Sequence, residues 1–169
     1  MKRISRLSEN RLTDWVKNLV KKGKQKINVR TGIKTGHFVT MNYASKMYEE
    51  DKLDFYDQQP LILVLGQNSG YVQGLNFHYV KRSARLKIIN KLKKLRKKAF
   101  KENKPLPNLQ WSSIASEVKY ATFMIKLYIK DRIMKPQLIK NTDIHKVIHL
   151  PSEDFIGIDA DKLWRSLGM

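Results

Sequence analysis

The sequence predicts an α+β fold, and three stretches predict it. The apolar run LILVL at 61–65 is bounded by Pro60 and Gly66 and reads as a strand. GQNSG then supplies turn chemistry. In the YVQGLNFHYV that follows, Tyr71, Gln73, Leu75, Phe77 and Tyr79 alternate with Val72, Gly74, Asn76, His78 and Val80, which completes a β-hairpin. Beyond it Ile88, Leu92, Leu95 and Ala99 recur at helical spacing with Leu86 and Ile89 alongside, so 83–101 is expected to be an amphipathic helix.

The remaining elements follow in chain order. Leu12, Trp15, Val16, Leu19 and Val20 predict an N-terminal helix that stops at Gly23. Residues 21–36, KKGKQKINVRTGIKTG, hold no acid and read as a basic arm. HFVTMNY reads as a strand, and the acidic stretch from Glu49 to Asp57 follows it. Gly74 inside the hairpin strand predicts a bulge or a close backbone approach. KPLPN breaks the chain, after which Ile114, Val118, Ala121, Ile125 and Tyr128 predict a second long helix that runs until Pro136. HKVIHLP reads as the last strand, and EDFIGIDADKLWRSLGM as a loop and a short helix anchored by Trp164. The expected organisation is a basic helix and arm over 1–36 and a single α+β domain over 37–169. Small SH3-like barrels use a hairpin of this kind. The expected architecture is therefore a small antiparallel SH3-like barrel or sheet with about three helices, two of them inserted between the central hairpin and the last strand.

Charge narrows the function. The 169 residues carry 34 Lys and Arg against 15 Asp and Glu, a net charge of +19. That excess creates a potential that draws polyanions, nucleic acid first and an anionic membrane surface second. With no cysteine there is neither a disulfide frame nor a thiolate metal site. The start, MKRISRLSENR, lacks the apolar run of a signal peptide, and no stretch approaches the length of a membrane span. No membrane partner is expected.

Residues 81–104 hold twelve Lys and Arg and one acid, Glu102. Like charges three and four residues apart repel within a helix, so this density calls for a compensating anion. The candidate phosphate contacts are Lys91, Lys93, Lys94, Arg96, Lys97 and Lys98 on the helix, joined by Lys21, Lys22, Lys24, Lys26 and Arg30 of the arm. Lysine contacts the backbone as a point charge, and base-reading Asn, Gln and bidentate Arg are scarce here, so sequence-specific recognition is not expected. Tyr71, Phe77 and Tyr79 could stack on single-stranded bases, but Leu75 on the same face favours packing.

Catalysis finds little support. Glu117 and Lys119 make a Glu-x-Lys element, with Asp54 or Asp57 as an upstream ligand, but helical periodicity sends the pair to diverging faces. His145 and His149 sit near a strand as structural histidines. The acidic residues Glu49, Glu50, Asp51, Asp54 and Asp57 are expected to pair with a basic neighbour or to steer a second subunit's arm. No phosphate loop or nucleophile elbow is present, so no enzyme activity, cofactor or metal is expected.

FYDQQPLILVLGQNSGYVQGLNFHYVKRSARLKII and VIHLPSEDFIGIDADKLWRS carry a more specific signal. Phe55, Tyr56, Asp57, Pro60 and Leu61, then Gly70, Tyr71, Gly74, Leu75, Asn76, His78 and Tyr79, then Arg85 and Leu86, and finally Leu150, Pro151, Glu153, Phe155 and Trp164 form two linked motifs. Together they resemble small virion structural proteins of large contractile-tailed bacteriophages, some of which are labelled DNA end protectors. The resemblance implies a structural protein made in the host cytoplasm and carried in the virion, with DNA and other virion proteins as partners. The alternative is a tail or baseplate subunit whose basic surface meets acidic protein neighbours. Asn76 and His78 are expected to be buried polar groups that hold the junction between sheet and helix.

Overall fold

The computed structural model describes residue 18 and residues 25–102, 124–147 and 155–166. Two buried apolar clusters organise them, one on each side of a five-stranded antiparallel sheet. Its strands are β1 (Phe38–Tyr43), β3 (Leu61–Gln67), β4 (Tyr71–Asn76), β5 (Ile125–Ile129) and β6 (Ile133–Leu138), in the order β5-β4-β3-β1-β6. The two-residue strands β2 (Tyr56–Asp57) and β7 (Phe155–Ile156) pair separately. The helices are α1 (Lys46–Glu49), α2 (Arg82–Lys101), α3 (Ile144–Val147) and α4 (Ala160–Ser166).

The central strand β3 shows why LILVL is apolar without interruption. Leu61, Leu63 and Leu65 pack with Phe38, Leu75, Phe77 and the Ile88–Ile89–Leu92 stripe of α2. Ile62 and Val64 point the other way, to Ile33, Val39, Met41, Val72, Tyr128 and Ile133. A strand covered on both faces has no solvent side to make polar. Each of these buried Leu and Ile side chains contributes about 1.5–3 kcal/mol by leaving water. A register shift between Val64 and Gly66 bends β3, and Asn68 caps the turn by accepting from the backbone N–H of Gly70 and Tyr71.

The sheet is strongly coiled. Tyr43 of β1 and Tyr128 of β5 meet edge to face with ring centres 5.0 Å apart, and the Ile129 N–H donates to the Tyr43 hydroxyl at 3.3 Å. In a flat sheet the three intervening strand spacings would set β1 and β5 about 14 Å apart. The outermost strands β5 and β6 are joined by a single 3₁₀ turn, Lys130–Arg132. No ladder among the described residues joins β5 to β6, so of the expected barrel or sheet the structure shows an open, coiled antiparallel sheet.

Other elements also differ from the expectation. Among the described residues two helices exceed a single turn, α2 and α4. Ile125 and Tyr128, read as the end of a second long helix, belong to β5, because pairing along β4 from Leu75↔Ile125 to Tyr71↔Ile129 outweighs a helical spacing. Pro136, read as a helix stop, lies inside β6, an outermost strand where a missing N–H costs little. His145 to Val147 of HKVIHLP form part of α3 rather than a strand. The hairpin strand stops at Asn76, whose side-chain oxygen accepts from the His78 N–H and turns Phe77–Tyr79 into a 3₁₀ turn. Residues 103–123 and 148–154, and with them Ile114 to Ala121, Glu117, Lys119, His149 and Pro151, lie outside the described residues.

Candidate nucleic-acid interface

The basic helix presents two different surfaces. Lys93, Lys94, Lys97 and Lys98 are exposed, as are Lys87 and Lys101. Lys94, Lys97, Lys98 and Lys101 stand three, four and seven residues apart and so share one outward face. The only acid near them on the helix is Glu102, 3.9 Å from the Lys98 ammonium. Lys91 is half-buried, and Leu86, expected beside the apolar stripe, is exposed instead.

Arg96 departs from the other predicted contacts. It stands one turn beyond the buried Leu92, on the side of α2 that meets the sheet, and is half-buried. Its guanidinium donates to the Asn141 side-chain oxygen at 2.8 Å and to the backbone carbonyl of Gly36. These bonds place it at the wall of a cleft of about 840 Å³ whose lining includes Lys34, Thr35, His37, Gln67 and Lys140. Among the described residues no acid lines this cleft. Burial lowers the Arg96 guanidinium below its ordinary value.

The floor of the cleft is built by a turn. His37 N–H donates to the Lys34 carbonyl at 3.0 Å, with Gly36 at φ 82°, a conformation that glycine adopts without steric cost. Gly36 N–H donates to Val64 O at 2.8 Å and Val64 N–H to His37 O at 2.9 Å, which fixes the turn to β3. Upstream, Gln25 clamps β6: its side-chain oxygen accepts from the Leu138 N–H at 3.0 Å, and its backbone N–H donates to the Gln137 side chain at 3.3 Å. Ile33 is fully buried beneath. Residues 25–36 thus pack along the sheet. His37 Nδ1 accepts from the Lys34 N–H at 3.2 Å, which requires an acceptor at that nitrogen and assigns the ring proton to Nε2. Burial, then the charges of Arg96 and Lys34, hold His37 below its usual value.

Among the arm residues, Lys26 is exposed, and Arg30 is exposed and reaches Asp131 at 3.4 Å. Lys21, Lys22 and Lys24 lie outside the described residues.

The structural motif residues converge on one buried network. Asp57 in β2 accepts from the Gln59 N–H at 3.1 Å and from the Asn76 amide at 2.8 Å, and lies 2.6 Å from His78 Nδ1. The Asn76 amide also reaches the Tyr128 hydroxyl at 3.2 Å. Asn76 and His78 are fully buried, and Arg85 is buried while donating to Val80 O at 2.8 Å. Tyr79 packs edge to face on Phe155, and its phenol is raised by burial first and by Asp57 second. Half-buried Tyr56 meets the Tyr48 ring at 4.9 Å, and Pro60 is buried. Gly74 is the expected close approach: a Cβ there would stand 2.9 Å from Ile62 Cβ. Trp164 lies in α4. Sequence reading missed that Asp57 and His78 meet, since no local spacing links them.

The aromatic platform does not form. Phe77 and Tyr79 are core residues and only Tyr71 is exposed. The acidic stretch pairs with bases of its own chain, Glu49 with Arg132 at 2.5 Å and Glu50 with Lys52 at 2.8 Å and Lys46 at 3.5 Å. Among the described residues no three His, Asp or Glu side chains gather as metal ligands, and no helix is long and apolar enough to cross a membrane.

The family model of the phage T4 terminal DNA protecting protein matches residues 2–165. The chain belongs to that family. No curated protein and no solved structure matches. The match covers both linked motifs and the whole of α2.

Proposed function

We propose that this protein binds the ends of phage DNA and acts by occupancy, without catalysis, first in the host cytoplasm and then in the virion. The observation that carries the reading is the outward face of α2, where Lys94, Lys97, Lys98 and Lys101 stand exposed with one acid near them, in a chain of the terminal DNA protecting family. These lysines contact backbone phosphates regardless of sequence, and Lys21, Lys22, Lys24, Lys26 and Arg30 add contacts on the duplex. The coiled sheet, whose β1 and β5 meet through Tyr43 and Tyr128, serves as an SH3-like platform under the helix. Other virion proteins are further partners of this particle-borne role.

An exonuclease protection assay tests the proposal. Linear duplex incubated with the protein should resist an added exonuclease, while magnesium or manganese alone should produce no cleavage of linear or circular DNA. Metal-dependent cleavage lost in Glu117→Gln would replace the reading with a nuclease. Neither protection nor cleavage would favour a tail or baseplate subunit that binds acidic proteins.

A further inference from the structure

The outward lysines explain attraction to any duplex, but not a preference for its terminus. Arg96 faces the other way. Its guanidinium is half-buried, and no carboxylate pairs with it among the described residues. A half-buried cation without a counter-charge is partly stripped of water, so an anion placed beside it is favoured. Two of the five N–H groups of the guanidinium serve Gly36 and Asn141, and the residue lines the cleft. Lys34 and Lys140 stand exposed at the same cleft, with His37 between Lys34 and Phe38.

We propose that this cleft takes the phosphomonoester at a DNA terminus. The inference rests on the DNA-end reading above and deepens it. Three features select a terminal phosphate over the internal backbone. The first is charge: a phosphomonoester carries about −1.5 to −2 at neutral pH, where a backbone diester carries one negative charge. Three permanent cations, Lys34, Arg96 and Lys140, with no acid among the described lining residues, match the greater charge. The second is shape. A recess on the sheet side of α2 admits a group that protrudes from an end, whereas a continuous duplex rides on the outward lysines. The cleft, at about 840 Å³, falls within the range of about 300–1,000 Å³ typical of small-ligand sites, enough for a phosphate and its sugar. The third is geometry. The planar guanidinium is held from two sides by Gly36 and Asn141, and such a fixed fork suits phosphate oxygens.

The test compares duplexes that carry a phosphate or a hydroxyl at one open end, on the 5′ or the 3′ strand, with the other end closed by a hairpin loop. Fluorescence anisotropy should show about tenfold tighter binding for one phosphorylated end, the scale of a single charge-assisted hydrogen bond. Lys34→Gln with Lys140→Gln, both exposed positions, should abolish that preference and leave binding to a covalently closed circle unchanged. Independently, inorganic phosphate should raise the His37 pKa in an NMR titration, because an anion offsets the charges of Arg96 and Lys34 that lower it, and should not do so in the double variant. Equal binding of phosphate and hydroxyl ends by the wild-type protein overturns the cleft assignment and leaves the general DNA reading standing. A His37 resonance indifferent to phosphate also overturns it. Failure to bind any duplex removes both.

Discussion

Replacing Lys94, Lys97, Lys98 and Lys101 together by Gln should weaken DNA binding and strengthen the fold. Each phosphate neutralised by a lysine contributes about −0.9 to the log-log salt slope, so removing all four should flatten the slope by up to about 3.6. Between 50 and 200 mM salt, that loss amounts to a factor of about 150 in how strongly affinity responds. The stability side comes from the helix geometry. The pairs 94–97, 94–98, 97–101 and 98–101 set like charges three or four residues apart, and each costs about 0.2–0.5 kcal/mol. Against their relief stands the Lys98–Glu102 pair, exposed and 3.9 Å long, worth about 0.3–0.5 kcal/mol. Gln and Lys have similar helix propensity, so the net is a gain of about 1 kcal/mol, or roughly 2–4 °C in Tm for a chain of this size. Anisotropy titrations across a salt series and a thermal melt measure the two halves. An unchanged slope, or a lower Tm, would refute the reasoning, because a face that packs on something in the free protein would lose stability when neutralised.

Three further outcomes follow from the interior. Asp57→Ala should destabilise by about 3–5 kcal/mol in urea unfolding, because Gln59 N–H, the Asn76 amide and His78 all lose a buried acceptor. Gly157→Ala should unfasten the β2–β7 pair, since φ is 91° and the new Cβ would stand 2.2 Å from the Asp54 carbonyl oxygen, whereas Gly70→Ala meets nothing within 4 Å and should change stability by less than about 0.5 kcal/mol; hydrogen exchange at Tyr56 and Ile156 reads the difference. Stability should fall as pH rises above 10, because burial holds the phenols of Tyr43, Tyr56, Tyr79 and Tyr128 above their ordinary value of 10.0. The unfolded chain releases those protons near pH 10 while the folded chain keeps them, so the stabilisation is complete below that pH; a urea midpoint flat between pH 9 and pH 11 would contradict it.

The hairpin, β1 and α2 were legible because each carries its own signal: turn residues at 66–70, a double-faced apolar run in β3, and the Ile88–Leu92 stripe. The β5–β6 pair was not. Ile125 and Tyr128 stand three apart as a helix would have them, and only the side of β4 not occupied by β3 makes IKLYI a strand. The outward lysines could be read from composition. Arg96 could not be told apart from them, since its role depends on which side of α2 meets the turn at Gly36. The same limit applies to Asp57 and His78, which the fold brings from 21 residues apart.

The short 3₁₀ link between β5 and β6 bears on how the chain assembles. β1, β3 and β4 can form a three-stranded sheet from nearby segments, leaving an unpaired row of N–H and C=O groups along the outer sides of both β4 and β1. One row is the template for β5 and the other for β6. Because only Lys130–Arg132 separates the two strands, one contiguous segment of chain covers both rows. Until the ribosome has delivered that clasp, the nascent sheet carries two adhesive borders, and long-range pairing of this kind is slow to form. The charge then has a use before any DNA is met: residues 1–124 hold 26 Lys and Arg against 9 Asp and Glu, and that net +17 keeps half-made copies apart during the interval in which their borders could join.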